Sequence, residues 1–267
     1  MSKKSYKKRN IHAICLQSCI PVRLKPSDKS EMISQVLFGE LVHLVTQKHN
    51  SWTRIICDYD GYEGWVDSKQ LEKLSESDFK KLKKNAAVSL DLAQSAVHDD
   101  FHIPILLGSS LPGFDGISFS VNKKKFRYSG QVYGGSNAGM KHEIFSKIAM
   151  KYLHAPYLWG GRSPFGIDCS GYVQVVFKFF GIVLPRDAYQ QAEHGELVDF
   201  VSTAVMGDLA SFDNEEGRIT HVGIVLEEGK IIHASGRVRI DLLDHYGIYN
   251  VDTKKYSHRL KLIKRIF

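Results

Sequence analysis

The sequence predicts an α+β protein in which small β-barrels precede a domain of helices followed by antiparallel strands. Three observations carry that expectation. Residues 11–72 hold short β-rich runs separated by turn residues, residues from 139 onward hold two apolar stripes at helical spacing, and three strand-like runs, the last two joined by a tight turn, follow those stripes. At 267 residues the chain has room for two or three domains. Hydrophobic residues make up 43% and charged residues 24%, which excludes a disordered, collagenous or coiled-coil chain. No apolar run reaches the roughly 18 residues a membrane helix needs, so no membrane span is expected.

The first module is expected over residues 11–75. Residues 36–45 and 52–57 are β-rich, Asp60-Gly61 is a hairpin signal, and Gly64-Trp65-Val66 reads as the next strand. Pro21, Pro26 and the polar residues 27–30 supply a long early loop. The order of long loop, Phe-Gly-Glu turn, Trp strand and Gly-Trp-Val strand resembles a bacterial SH3-like domain. A charged connector over 73–84 leads to residues 86–134, where strand-like runs around Ile103, Ile117 and Phe126 suggest a second, degenerate SH3-like β domain. Gly134-Gly135-Ser136-Asn137 reads as the next linker.

The third module is expected over 139–267. Ile144, Ile148, Ala149 and Tyr152 recur at helical spacing, predicting a helix over 140–153 that Pro156 bars from continuing. Val173, Val176, Phe177 and Phe180 predict a second helix, with Gly181 at its C-terminal stop. Strands are predicted over 207–212, 220–226 and 230–234, the last two joined at Glu227-Glu228-Gly229.

Lys and Arg number 36 against 29 Asp and Glu, but the excess is concentrated at the two ends. Lys3, Lys4, Lys7, Lys8 and Arg9 lie at the start, and Lys254, Lys255, Arg259, Lys261, Lys264 and Arg265 near the end. The body between them is net acidic, so solvated basic tails are expected rather than a nucleic-acid-binding face. The four cysteines, Cys15, Cys19, Cys57 and Cys169, are too few for a disulfide scaffold and form no CxxC pair. They fit free thiols in a reducing compartment. Leu16–Cys19 has a faint likeness to a lipoprotein cleavage site, but the apolar stretch around it is short and broken by His12, Gln17 and Ser18. A first β-strand is the expectation there.

Cys169 is the candidate nucleophile. It sits between a Gly/Pro loop and an apolar-periodic helix, at or near a helix N-terminus, where unpaired N–H groups and the positive dipole end favour a thiolate and can cradle an oxyanion. The other three cysteines lie in strand-like runs and read as small buried hydrophobes. A cysteine nucleophile needs a base and the base an orienter. Of 12 histidines, His221 and His233 stand out, because a tight hairpin brings them onto neighbouring strands. His233 is expected to accept the Nδ1 proton of His221 and fix its tautomer. The remaining ten, His258 among them, read as structural. A zinc site from Cys169, His221 and His233 is conceivable, but a thiol poised against imidazole explains the same residues without a metal.

Five spaced motifs carry a family resemblance: Tyr157-Leu158-Trp159-Gly160-Gly161, Asp168-Cys169-Ser170-Gly171, Leu184-Pro185-Arg186, Gly207-Asp208-Leu209, and His221-Val222-Gly223-Ile224 with Ile232-His233-Ala234. Their order over residues 139–267 resembles the NlpC family of cell-wall cysteine endopeptidases. That resemblance implies a circularly permuted papain-like fold with Cys169 as nucleophile, His221 as general base, His233 as the polar third member and Tyr157 assisting the oxyanion. No cofactor or metal is implied. Together with the barrels it resembles the subgroup that cleaves between γ-D-glutamate and a diamino acid in free murein peptides bearing an N-terminal L-alanine. In that subgroup the positions matching Asp168 and Ser170 bind the substrate ammonium, and those matching Glu31 and Tyr62, from the first barrel, close the pocket. Glu40 is a rival for the acidic role. The expected protein is thus a cytoplasmic, monomeric peptidase of murein-derived peptides. An exported murein hydrolase and a wall-binding protein with a weakly active peptidase domain are the alternatives.

Overall fold

The computed structural model describes residues 11–48, 51–84, 86–134 and 142–267. The basic segment at residues 3–9 lies outside them. The first sheet contains β1 (Ile11–Cys15), β2 (Cys19–Arg23), β3 (Met32–Leu37), β4 (Leu41–Lys48), β5 (Trp52–Cys57), β6 (Glu63–Asp67) and β7 (Leu71–Leu74). Its order is β3-β2-β6-β5-β4-β1-β7, curled around Ala13, Ile20, Val36, Val42, Ile55 and Val66. Residues 11–19, with their faint likeness to a processing site, thus supply β1 and the start of β2. Cys15 and Cys57 are buried in this module, and all four cysteines are unpaired thiols.

The amphipathic helix α1 (Glu76–Lys84) lays Phe79 and Leu82 against the barrel and leads into the second β module. There β8 (Ala86–Ser89), β9 (Ala93–His98), β10 (Phe101–Leu106), β11 (Ser110–Pro112), β12 (Ser118–Val121), β13 (Lys124–Tyr128) and β14 (Val132–Tyr133) form two small sheets, β10-β9-β13-β12 and β11-β8-β14. Phe38 of the first barrel meets Phe119 and Phe126 edge-on, with centroids 5.8 and 5.9 Å away, so the two β modules share one apolar core.

The C-terminal domain begins with α2 (His142–Met150), β15 (Arg162–Ser163), β16 (Gly166–Ile167), α3 (Cys169–Lys178) and α4 (Ala188–Gln191). Helix α2 stops short of residue 153. Lys151, Tyr152 and Leu153 bond back three residues to Ile148, Ala149 and Met150, and His154 turns the chain with φ at 69°. Seven strands follow: β17 (Glu196–Val198), β18 (Leu209–Asp213), β19 (Ile219–Val225), β20 (Lys230–Ser235), β21 (Arg237–Leu243), β22 (Gly247–Asn250) and β23 (Lys255–Arg265). Their order is β17-β23-β18-β19-β20-β21-β22, and β22 also pairs with β23, closing six of the strands into a barrel. Phe212, Val225, Ile231, Leu243, Ile248 and Ile263 fill its interior. The opposite face of β19 and β20, with Val222, Ile224 and Ile232, packs with α3.

The expected basic tail at 254–265 is instead mostly the long strand β23. Three of its charges are paired: Arg259 and Lys261 both reach Asp213, and Arg265 reaches Asp208. Burial alternates along its middle, with Arg259 and Lys261 exposed and His258, Leu260 and Leu262 half-buried, the period of a half-buried strand masked by its basic composition.

Candidate active site

Cys169 is the first residue of α3. Asp168 caps that helix from extended geometry (φ −94°, ψ 176°), its side chain accepting from the Gly171 N–H. The Cys169 N–H therefore has no partner within the helix. The thiol is 6% exposed, and the backbone N–H groups of Val222 and Ser170 lie close enough to lower its pKa, which puts it against β19 at the residue after His221. Those donors, together with Arg186, do not prevail. Burial first, and the Asp168 charge second, push the thiol up to about 12. At the helix terminus expected to favour a thiolate, burial thus works in the opposite direction.

The histidines form a relay. His221 Nε2 lies 2.8 Å from His233 Nδ1, and His233 Nε2 lies 3.0 Å from Asp241 Oδ2. Asp241 also takes two hydrogen bonds from Arg239, at 2.7 and 2.9 Å. Burial alone would raise the Asp241 pKa, but His233 and Arg239 outweigh it and hold the carboxyl at about 2. As a carboxylate it can only accept, so the partners assign the tautomers. His233 donates from Nε2 and accepts at Nδ1, His221 donates from Nε2, and His221 keeps its lone pair on Nδ1. The contact to His233 is thus made by Nε2 of His221 rather than the expected Nδ1. Burial, reinforced by His258 and His233, holds His221 well below the usual histidine pKa.

Strand register makes this contact possible. His233 pairs with Gly223, two residues beyond His221 on the same face. A Cβ at Gly223 would stand 2.9 Å from that of His233, so only glycine lets the second imidazole cross to the first. Asp241 lies two residues past Arg239, the cross-strand partner of His233. The same period-2 argument that paired the histidines points to it in the sequence.

His258, read as structural, stacks on His221 with centroids 4.1 Å apart and planes 24° apart. Among the described residues, His221, His233 and His258 offer nitrogens within 4.8 Å of one another. Two nearly parallel stacked rings direct their in-plane lone pairs side by side, and His233 Nδ1 is spent on His221. The arrangement suits proton relay rather than tetrahedral metal ligation.

A cavity of about 550 Å³ opens over the thiol, and its lining includes Tyr157, Asp168, Cys169, Ser170, Glu31 and Tyr62. These are all the proposed site residues other than the two imidazoles. Tyr157 is bridged to Ile167, two residues before the nucleophile. Burial, with the nearby Cys169 and Asp168, pushes its hydroxyl up to about 12, so it stays a donor. Asp168 is not a free carboxylate: Arg186 grips it, and Gly160 N–H donates to Oδ2 at 2.9 Å. Ser170 accepts from Arg186 Nη1 at 3.0 Å.

The first barrel forms the wall opposite. Trp159 donates from Nε1 to Glu31 Oε1 at 2.7 Å, and Tyr62 donates to Asp187 Oδ1 at 3.2 Å. Gly160, at φ +75°, lets the loop lie on β3, where a Cβ would come within 2.3 Å of Met32 O. Glu31, Asp168 and Asp187 set three carboxylates against one guanidinium, Arg186, so the cavity favours a cation. Arg186 and Trp159 stood in motifs without an assigned role, and Asp187 carried no signal of its own.

Glu40 does not share that work. It is buried away from the cavity, accepting from Leu37 N–H, from both terminal nitrogens of Arg162 and from Lys178. Burial would raise its pKa, yet Arg162 and Lys178 outweigh it and hold the carboxyl at about 2. Two cations on the C-terminal domain demand one buried anion, so Glu40 fastens the barrel to the peptidase domain.

Comparison with known proteins agrees with this fold. Residues 154–261 match the NlpC/P60 family, and residues 22–71 match the bacterial dipeptidyl-peptidase Sh3 domain. The chain is 34% identical over 214 residues to the gamma-D-glutamyl-L-lysine dipeptidyl-peptidase of Bacillus subtilis strain 168, covering 75% of this chain and 71% of that protein. This chain belongs to the NlpC/P60 family. The Bacillus cereus protein of the same name is 28% identical over 233 residues, covering 78% of this chain and 68% of that one. The fold matches the crystal structure of an NlpC/P60 family protein from Bacillus cereus ATCC 10987, with a TM-score of 0.80, 21% identity, and coverage of 95% and 99% of the two chains. As an NlpC/P60 protein the chain is a cysteine peptidase acting on peptides, and no helix among its described residues is long and apolar enough to cross a membrane.

Proposed function

We propose that this NlpC/P60 peptidase hydrolyses the bond between γ-D-glutamate and the following diamino acid in free murein peptides whose N-terminal L-alanine is unblocked. One observation carries the reading: the cavity over Cys169 is walled by Glu31 and Tyr62 of another module and carries an excess of carboxylates. An ammonium entering it meets carboxylates. An acylated amine leaves them without their counter-charge and must fit its acyl group against the barrel wall. The names of the two Bacillus relatives point to lysine as the diamino acid. The unpaired cysteines support a reducing, cytosolic setting.

The reaction is acyl transfer to water. His221 takes the Cys169 proton as sulfur attacks the γ-glutamyl carbonyl, and the relay through His233 to Asp241 spreads the charge gained by the imidazole. The Cys169 N–H and the Tyr157 hydroxyl face the developing oxyanion. Collapse of the tetrahedral intermediate breaks the C–N bond, and the His221 imidazolium gives its proton to the departing amine. Water, deprotonated by His221, then hydrolyses the thioester.

The test is incubation with L-Ala-γ-D-Glu-L-Lys and its N-acetylated form, followed by mass spectrometry, for wild type and Cys169→Ala. Release of lysine from the unblocked peptide alone, and by wild type alone, is expected. Equal cleavage of both peptides overturns the closed pocket, and activity in Cys169→Ala overturns the mechanism.

A further inference from the structure

We propose that a second cavity, beside His258, receives the departing diamino acid, and that Arg259 holds its carboxylate. This inference rests on the hydrolysis proposed above. The cavity is about 440 Å³ and is lined by Tyr246, Tyr256, Ser257, His258 and Arg259. It shares no lining residue with the cavity over the thiol.

Its position follows from the direction of proton transfer. The leaving nitrogen collects its proton from His221, so the leaving group must project toward that ring. His258 covers one face of that ring, stacked at 4.1 Å, and also lines this cavity, so the cavity borders the flank of His221. The carbon bearing the leaving amine also bears the carboxyl group, which therefore arrives within one residue's reach of the proton donor.

The charge of the cavity matches that group. Asp213, whose side chain is 1% exposed, is shared by Arg259 and Lys261, and Glu215 also acts on Arg259, so the guanidinium is the cation that the cavity itself presents. Arg259 is held in place by Nε on Asp213 at 2.7 Å and Nη2 on Asn214 O at 3.1 Å, while 61% of its side chain stays open. A guanidinium fixed at one edge and open at the other suits a planar carboxylate. Tyr246 and Tyr256, with centroids 5.7 Å apart and both exposed, offer aromatic faces to the methylenes of a diamino-acid side chain. Nothing in the hydrolytic step uses these residues.

The experiment compares L-Ala-γ-D-Glu-L-Lys with its C-terminal carboxamide, measured in the same preparation of wild type, Arg259→Gln and Arg259→Lys. The ratio of kcat/KM for the acid to that for the amide does not depend on how much of a variant folds. Wild type is expected to favour the acid by about fivefold, the size of an exposed ion pair, through KM. Arg259→Gln is expected to lose that preference and Arg259→Lys to keep part of it. An unchanged preference in Arg259→Gln, or no preference in wild type, overturns the assignment of Arg259 while leaving the hydrolysis intact. Failure of wild type to cleave either peptide instead overturns the reading on which it rests.

Discussion

Arg186 grips Asp168, the residue immediately before the nucleophile, through two parallel hydrogen bonds: Nη1 to Oδ1 at 2.9 Å and Nη2 to Oδ2 at 2.6 Å. Both side chains are nearly sealed from water. The same carboxylate caps α3 at Gly171, so one ion pair fixes the position of Cys169 relative to the loop between α3 and α4. Arg186 in turn donates from Nε to Ser34 Oγ of the first barrel at 3.0 Å, tying that geometry to the cavity wall. Replacing Arg186 by Leu strands a buried carboxylate, and a stability loss of about 3–5 kcal/mol is expected from urea unfolding. A loss below about 1 kcal/mol would show that the pair does not hold the site together.

Asp241 is predicted to set the histidine tautomers without touching substrate. In Asp241→Asn an amide replaces the carboxylate, and His233 can reverse its donor and acceptor nitrogens. His221 Nδ1 is then no longer the free lone pair. The expected result is a kcat about 10- to 100-fold lower with KM little changed. A fall in KM-dependent binding alone would contradict the relay.

The free enzyme is predicted to hold a neutral thiol beside a neutral imidazole. Burial pushes Cys169 up to about 12 and His221 well below the ordinary histidine value, and iodoacetamide reacts with thiolate only. A raised thiol pKa means that the reactive form grows as pH rises. Alkylation of Cys169 should be slow at neutral pH and climb steadily into the alkaline range. A rate already at its plateau in mildly acidic solution would reveal a pre-formed thiolate–imidazolium pair.

Glu31 is predicted to act on the substrate amine from a different module. Glu31→Gln keeps an acceptor for Trp159 Nε1 but removes the charge. The kcat/KM for an unblocked peptide should fall about five- to tenfold, with little change for the N-acetylated peptide. Equal losses on both would make Glu31 a structural brace for Trp159.

Much of this architecture is legible in the sequence where one period dominates. Helix α3 follows from Val173, Val176, Phe177 and Phe180, and the β19–β20 hairpin from Glu228-Gly229, where both residues have positive φ. Cys169, His221 and His233 stand out because turn chemistry brackets them. Strands β21 to β23 are less legible. Their exposed faces are basic and pair with Asp208, Asp213 and Asp252, partners far away in the chain, so composition imitates a solvated tail. His258 was lost with that strand. The burial that raises the pKa of Cys169 is equally invisible to local reading, because the surfaces that desolvate it come from β19 and the loops around it. Glu40 and Glu31 are both glutamates of the first barrel. Only the positions of Arg162, Lys178 and Trp159 separate the fastening residue from the one facing the cavity.

The most direct measurement is the intact mass of the enzyme quenched during turnover of L-Ala-γ-D-Glu-L-Lys, followed by peptide mapping. The account predicts an L-alanyl-γ-D-glutamyl adduct on Cys169 that disappears as free dipeptide accumulates, and no adduct in Cys169→Ala. Turnover without any acyl-enzyme, or an adduct on another residue, would contradict it.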